Sequence, residues 1–435
     1  MTGTPPNIII IFSDQQRHDS MGCYGQELPV TPNLDRLAEE GTLCEYAFSP
    51  QPLCTPARAA LQTGKYATEV DTWMLRMALP LDEKTLPTYF SESKHEYQTG
   101  YIGKWHLAST TIDFADESKR VGQKEEAVFH ELPVPIERRG GWNRYWRASD
   151  VLEHTSHGFD GNMWDEKGTP LEMPRGQYRV DWVTDHALDF IHSREQDRPF
   201  LLFVSYIEPH WQNDRKTHDA PDRLVEMFKD YELPGDLVDS HEKVSWLKSG
   251  DFRDEYPKYL ATCRAIDDNV GRILEVMKEQ GLMDNTIIVY TSDHACHFGQ
   301  RNQGAKCSCH DASIRIPLIF WGPGFNGGYE IKELTSLIDI LPTLLDVTGV
   351  EKPSYMHGNS ILSLINQENT EWPDAVYYEL SPEIIGRGLR TRKWTYSIKD
   401  PVTPSRGRHQ PASTLYVEDY LYDNEKDPFQ LNNLI

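Results

Sequence analysis

Asn7-Ile8-Ile9-Ile10-Ile11-Phe12-Ser13-Asp14-Gln15 is an unbroken β-branched and aromatic run that stops on two polar side chains. A run without alternation has no face to offer water, so it reads as a strand covered on both sides, as in the middle of a parallel sheet. Downstream, Thr31-Pro32 opens a helix through Asn33-Leu34-Asp35-Arg36-Leu37-Ala38 that stops at Gly41, with Pro in the first turn and Gly just past the end. Further strands are expected at Gly100–Ile102, Phe200–Ile207, Thr286–Thr291 and Ile316–Trp321. Between them lie amphipathic helices, with Val180, Val183, Ala187 and Ile191 on one face and Ile266, Val270, Ile273 and Met277 on another. Strand and helix alternating over this length predict an α/β fold with a large, doubly wound mixed sheet sandwiched by helices over residues 1–347. Residues 107–175 break the rhythm, being polar, aperiodic and rich in Trp, Arg, Gly and Pro, and read as an insertion over the sheet. From 348 to 435 short segments such as Val376–Leu380 and Trp394–Ile398 alternate with turns, which predicts a smaller C-terminal α+β subdomain.

Charge narrows the function. The chain has 44 Lys+Arg against 67 Asp+Glu and a net charge of −23. Binding a phosphate backbone takes a basic face, so a nucleic-acid partner is excluded, and any anionic substrate must be small and held by local cations. No apolar run approaches the roughly 20 residues of a membrane span, so no membrane partner is expected. The strand at Ile8 follows Thr, Gly and Pro without a basic segment, so the chain as written is expected in the cytoplasm. A removed leader would instead make it periplasmic or secreted. Seven cysteines, an odd number in a long chain, argue against a disulfide framework.

In open α/β sheets ligands bind beyond the carboxyl ends of the strands. Four such ends are polar here: Asp14-Gln15, Gly103-Lys104-Trp105-His106, Glu208-Pro209-His210 and Asp293-His294. One polar residue after a strand is an ordinary cap; four such ends together mark a site. Cys54-Thr55-Pro56-Ala57-Arg58 adds a sulfur. Pro56 suits the first turn of a helix, which puts Cys54 at a helix N-terminus where an anion is favoured. A buried free thiol is the commoner fate of cysteine, but it does not account for Pro and Arg at +2 and +4.

With Thr63-Gly64, this segment resembles the signature of the type I sulfatases, which have an alkaline-phosphatase-like fold. Gln98-Thr-Gly-Tyr-Ile-Gly-Lys104-Trp-His106-Leu resembles the family's second signature. Thr31-Pro-Asn-Leu-Asp-Arg-Leu-Ala, Ser313-Ile-Arg-Ile-Pro-Leu-Ile and Leu421-Tyr-Asp-Asn-Glu-Lys-Asp-Pro-Phe-Gln-Leu-Asn-Asn-Leu fall in family order, so the likeness spans nearly the whole chain. The resemblance implies that Cys54 is converted by a formylglycine-generating enzyme to formylglycine, whose hydrate is the nucleophile, and that Arg58 holds it. It implies Asp14, Gln15, Asp293 and His294, with the modified Cys54, as the metal set. Lys104 and His106 would contact the sulfate and the formylglycine hydroxyls, His210 would protonate the leaving oxygen, and Lys306, thirteen residues after Asp293, would be the second sulfate-binding lysine. The chemistry suits the set: attack at sulfur needs preorganised cations around the sulfate charge, a metal favours ionisation of the diol, and the second diol hydroxyl then expels sulfate.

Several sulfatases carry Asp-Asp and Asp-Asn where this chain has Asp14-Gln15 and Asp293-His294, a variation found among carbohydrate sulfatases, choline sulfatases and phosphonate monoester hydrolases. Ca²⁺ prefers oxygen while Mn²⁺ accepts nitrogen, so Ca²⁺ is expected, with Mn²⁺ as the alternative. Cys296, His297, Cys307, Cys309 and His310 suggest zinc, but their spacing fits no standard finger and the stretch is the family's loop between metal-binding Asp and sulfate-binding Lys. Trp142, Trp146 and Trp164, with Trp73 and Trp211 near the motifs, are read as aromatic platforms for an anionic sugar. His18, Arg76, Trp105 and Trp211 are candidate substrate contacts, as are Arg138, Arg139 and Arg144 by position. The expected partner is a sulfated mono- or oligosaccharide. A phosphonate monoester or phosphodiester hydrolase is the alternative enzyme, and a non-catalytic binding protein the alternative outside catalysis. The family's chains often continue into a final helix past the motif that ends here near Gln430, so a short or truncated C-terminal unit is expected.

Overall fold

The computed structural model describes residues 5–110, 128–238, 243–302, 304–368, 371–381, 384–402 and 410–435. Twelve strands form the large sheet: β1 (Asn7–Asp14), β2 (Thr42–Phe48), β3 (Gln98–Lys104), β4 (Tyr145–Ser149), β5 (Ser156–His157), β6 (Asp160–Trp164), β7 (Pro170–Glu172), β8 (Phe200–Pro209), β9 (Thr286–Ser292), β10 (Arg315–Ile316), β11 (Leu318–Trp321) and β12 (Tyr329–Ser336). β1 lies between β8 and β9, parallel to both, and β3 and β4 extend the parallel core beyond β8. β11 returns antiparallel to β9 and to β2, making the sheet mixed as expected.

Every residue of β1 is buried. Ile8, Ile10 and Phe12 pack on the face covered by the helices Cys54–Thr63, Leu86–Ser91 and Ile340–Thr348, whereas Ile9 and Ile11 pack on the face covered by Pro32–Glu40, Arg179–Ser193 and Tyr256–Glu279. Burial on both faces is what the unbroken apolar run requires. Gly103, at φ 98°, lets β3 close on its neighbour: a Cβ there would lie 1.9 Å from the Ser205 carbonyl oxygen.

The structure sharpens the sequence reading in three places. The expected strand Ile316–Trp321 is broken at Pro317, which has no N–H for the ladder, into β10 and β11. Within the expected insertion 107–175, of which 111–127 lie outside the described residues, 145–172 continue the sheet through β4, whose Gly100↔Tyr145 to Lys104↔Ser149 register is parallel to β3, and through β5, β6 and β7. Over the expected C-terminal unit, 348–435, the described residues hold the short helix Leu362–Ile365 and a four-stranded antiparallel sheet of β13 (Ala375–Leu380), β14 (Gly386–Thr391), β15 (Trp394–Lys399) and β16 (Val417–Asp423). Its Val376, Tyr378 and Tyr422 pack on Phe48, Cys309 and Ile314, while the short helix Leu362–Ile365 still belongs to the large core.

One contact joins two helices of the same layer. Helix Pro32–Glu40 receives no cap from its own Thr31, and its free amides are satisfied from outside. Asp267 of helix Tyr256–Glu279 accepts hydrogen bonds from the Asn33 and Leu34 amides at 3.0 and 2.8 Å. Burial pushes its carboxyl up to about 6. Asp267→Ala leaves those amides without a partner and is expected to lower unfolding free energy by about 1–3 kcal/mol, read from urea melts as a shifted midpoint at constant slope.

Candidate active site

Because β1, β3, β8 and β9 run parallel, their C-terminal ends share one edge of the sheet. Register sets the neighbours there: Ser13 pairs with Ser292 and Asp14 with Pro209. Gln15 leaves β1 at φ 71°, and its backbone N–H donates to Asp293 Oδ1 at 2.9 Å. Its Nε2 donates to Cys296 Sγ at 3.2 Å.

The helix Cys54–Thr63 starts on Cys54, as Pro56 predicted, and ends on Gly64 in the left-handed region. Cys54 Sγ lies 3.5 Å from Asp14 Oδ1 and 3.3 Å from His294 Nε2, and it accepts from Lys306 Nζ at 2.9 Å. One turn on, Arg58 Nη2 donates to Asp14 Oδ2 at 3.1 Å, while Nη1 donates to the Lys104 carbonyl at 2.9 Å and to Ser205 Oγ at 2.8 Å. Lys104 Nζ is 2.8 Å from both Asp14 Oδ2 and Glu153 Oε1. Thr55 Oγ1 donates to the His106 carbonyl at 3.2 Å. Lys306 Nζ stands 3.2 Å from His294 Nε2 and 3.4 Å from His210 Nε2. The four polar strand ends, the cysteine segment and Lys306 therefore meet around one sulfur.

The two imidazoles are oriented alike. Nδ1 of His294 faces the Ala295 carbonyl at 2.9 Å and Nδ1 of His210 faces the Trp211 carbonyl at 2.6 Å, so each carries its hydrogen on Nδ1 and turns a bare Nε2 to the site. Burial and then Lys306 hold His294 well below the usual imidazole range and bring His210 down to about 3. Burial and then Asp14 push the Cys54 thiol up to about 12, against the pull of both lysines. As an unmodified thiol, Cys54 is protonated and a poor nucleophile.

The donor set fits a divalent cation. Ligand atoms of Asp14, Cys54, Asp293 and His294, all buried, lie within 4.8 Å of one another. Lys104 and other cations hold Asp14 well below the carboxylate range in spite of burial, whereas burial and the charge of Asp14 push Asp293 up to about 7. Arg58 pairs with both, at 3.1 and 3.5 Å, yet Asp293 stays raised, so a divalent cation between the two carboxylates would relieve the pair further. Gln15 Oε1 and Asp293 Oδ2 are buried without a hydrogen-bond partner, and these are the oxygens such a cation would take.

The candidate substrate contacts fare differently. Trp105, Trp142 and Trp146 are fully buried and pack with Tyr101, so they are core residues and present no platform. Trp73 is also buried, and Trp164 sits half-buried on β6. Which side chains of these stretches turn inward is not revealed by an aperiodic sequence. Trp211 alone flanks the site, stacked 4.2 Å from His210 and 4.1 Å from Trp246. Arg139 is buried under Trp146, Arg138 gives its carbonyl to Trp105 Nε1, and Arg144, preceding β4 at the far edge, pairs with Glu195. His18 packs edge-on against Tyr24 and Arg76 is exposed; among the described residues no hydrogen bond or ion pair joins either to the cluster. The five zinc candidates disperse: Cys296 holds Gln15, His297 Nε2 meets the Lys306 carbonyl, Cys307 donates to Pro52, and His310 meets Tyr422 beside Cys309.

Two participants escaped the sequence reading. Ser205 carried a signal, since a hydroxyl inside a doubly buried strand must have a partner, here Arg58. Glu153 lies in the aperiodic stretch and carried none.

Residues 6–350 match the sulfatase family profile. The chain is 30% identical to an ulvan-active sulfatase of Formosa agariphila, over 99% of this chain and 77% of that protein. It is 26% identical to an N-acetylglucosamine-6-O-sulfatase of Bacteroides thetaiotaomicron, over 99% and 82%. Its fold superposes on the crystal structure of a putative sulfatase, yidJ, from Bacteroides fragilis with a TM-score of 0.80, 27% identity, and coverage of 100% of this chain and 92% of that one. Among the described residues no helix is long and apolar enough to cross a membrane. The profile match over most of the chain and a relative at 30% identity show that the chain, whose polar strand ends meet at Cys54, belongs to the sulfatase family of sulfuric ester hydrolases.

Proposed function

We propose that this sulfatase hydrolyses a sulfate ester on a sugar, using formylglycine at position 54 and a divalent cation, Ca²⁺ or alternatively Mn²⁺, held by Asp14, Gln15, Asp293 and His294. The observation that carries the reading is the cage around Cys54 Sγ: Lys306 Nζ at 2.9 Å on one side, and on the other Lys104 and Arg58, both bound to Asp14 Oδ2. Two lysines converging on the nucleophile position suit an ester whose charge spreads over sulfonyl oxygens. Sugar specificity draws support from relatives named for ulvan and for N-acetylglucosamine 6-O-sulfate, and from Trp211 beside His210.

When present, the cation would polarise the sulfate and favour ionisation of the formylglycine hydrate. The chain's own residues divide the remaining work. Arg58 and Asp14 hold the position-54 side chain, and Lys104 and Lys306 bind the sulfate oxygens. His106 has a buried, unpartnered Nδ1, and its carbonyl accepts from Thr55, the residue next to position 54. His210 keeps its Nδ1 hydrogen on the Trp211 carbonyl and accepts from Lys306 at Nε2, so the proton for the leaving oxygen comes through the Lys306–His210 pair.

Protein matured with a formylglycine-generating enzyme is expected to release sulfate from one or more sulfated monosaccharides and to leave a phosphonate monoester much less affected. The reverse preference would favour the phosphonate hydrolase reading, and no turnover of either would favour the binding protein. Mass spectrometry of the tryptic peptide Leu37–Arg58 should find formylglycine in place of Cys54, and Cys54→Ala should abolish turnover. Activity from protein carrying only cysteine would refute the mechanism.

Exhaustive chelation is expected to remove activity and lower Tm by a few degrees, both restored by the cation that elemental analysis identifies. Unchanged Tm and turnover in metal-free protein would remove the cation from the account.

His210→Ala should depress kcat on a sugar sulfate on the order of 10²-fold and much less on nitrophenyl sulfate, whose leaving group departs without a proton. Equal losses on both substrates would give His210 a binding role only.

A further inference from the structure

Lys104 is held by two carboxylates. Asp14 Oδ2 and Glu153 Oε1 both stand 2.8 Å from its Nζ, and Lys104, Asp14 and Glu153 side chains are 0%, 0% and 4% exposed. Asp14 belongs to the expected cation site; Glu153 does not, and nothing in the mechanism above requires it.

Glu153 is nonetheless firmly placed. Gln212 Nε2 donates to its backbone carbonyl at 2.7 Å, and Gln212 Oε1 in turn accepts from Arg179. Its second carboxylate oxygen, Oε2, is buried with no hydrogen-bond donor. Burial opposes its ionisation, but Lys104 and then His106 hold it well below the usual carboxylate range, so it carries its charge at any working pH. The titratable groups that face it are Lys104, His106, His210 and Asp14, of which burial holds both imidazoles below their usual range. A full negative charge in the wall of a pocket built to hold an anion weakens that anion's binding, and by Coulomb's law the penalty scales with the anion's charge.

We infer that Glu153 is a specificity-determining positioning residue: it holds Lys104 and sets the charge of the pocket to suit a monoanionic ester, discriminating against dianionic phosphate monoesters. Sulfate esters carry one charge. A phosphate monoester carries two above its second ionisation near ~6. Removing the Glu153 charge therefore helps the phosphate about twice as much in free energy as the sulfate, whatever the loss of Lys104 positioning costs both. The inference rests on the sulfatase reading of the same pocket.

The test uses matured, metal-loaded protein and three substrates with one leaving group: nitrophenyl sulfate, nitrophenyl phosphate and the nitrophenyl monoester of methylphosphonic acid, which is a monoanion. In Glu153→Gln at pH 8 the phosphate-to-sulfate ratio of kcat/KM is expected to rise about tenfold or more over wild type. The rise should vanish at pH 5, where the phosphate ester is a monoanion, and the phosphonate-to-sulfate ratio should stay at its wild-type value. An unchanged phosphate ratio, or a phosphonate ratio that moves with it, overturns the inference and leaves Glu153 a structural partner of Lys104. A second measurement needs no variant: in wild type, inhibition by phenyl phosphate should weaken relative to phenyl sulfate as pH rises from 5 to 8, and a constant ratio counts equally against the inference. Wild-type protein inactive on every sulfate ester would instead overturn the functional reading, which these ratios do not test.

Discussion

The Asp14 carboxylate, with no exposed surface, ends a central strand buried along its whole length. A lone carboxylate in such a place is prohibitively costly, so its neighbours must compensate it. Lys104 and Arg58 do so on Oδ2, and Oδ1 is left facing Cys54. β3, which carries Lys104, and helix Cys54–Thr63, which carries Arg58, are thereby tied to the end of β1. The interaction that makes the central strand tolerable also assembles the site.

That dependence explains the layout of the rest. The parallel register of β1 with β8 and β9 puts His210 and Asp293 beside Asp14, and the turn at Gln15 closes on Asp293 through a backbone amide. Gln15 and His294 are each tethered by one polar atom, to Cys296 and to the Ala295 carbonyl, which leaves Oε1 and Nε2 for the cation site. Oriented ligands held by a surrounding shell are what a metal centre needs. Three residues past Lys306, Cys309 packs with Tyr378 and Tyr422 of the small sheet, so the C-terminal unit buttresses the segment that delivers Lys306.

The aromatic residues show how context changes a reading. Trp105 follows Lys104 directly and looked like a substrate contact, yet it points into the core and donates to the Arg138 carbonyl. Alternation along β3 and its continuation puts neighbouring side chains on opposite sides, so adjacency in sequence to a functional lysine is no sign of access to the pocket. Tyr145-Trp146-Arg147-Ala148-Ser149 is a strand of the same sheet, although its flanks carry the Gly, Pro and Arg of a surface loop.

The sequence by itself determined the strands that must be buried on both faces, the polar residues at their carboxyl ends, the helix start at Cys54 and, through ordered motifs, the family. These are local signals, carried by runs, periodicities and caps within a dozen residues. Only the tertiary structure decided that residues 145–172 extend the sheet, that Trp105, Trp142 and Trp146 are core, that Ser205 supports Arg58, and that Glu153 is the second partner of Lys104. Those facts depend on which distant segments meet. Lys104 and Glu153 are 49 residues apart in the chain and 2.8 Å apart in space, and no property of either segment alone encodes that contact.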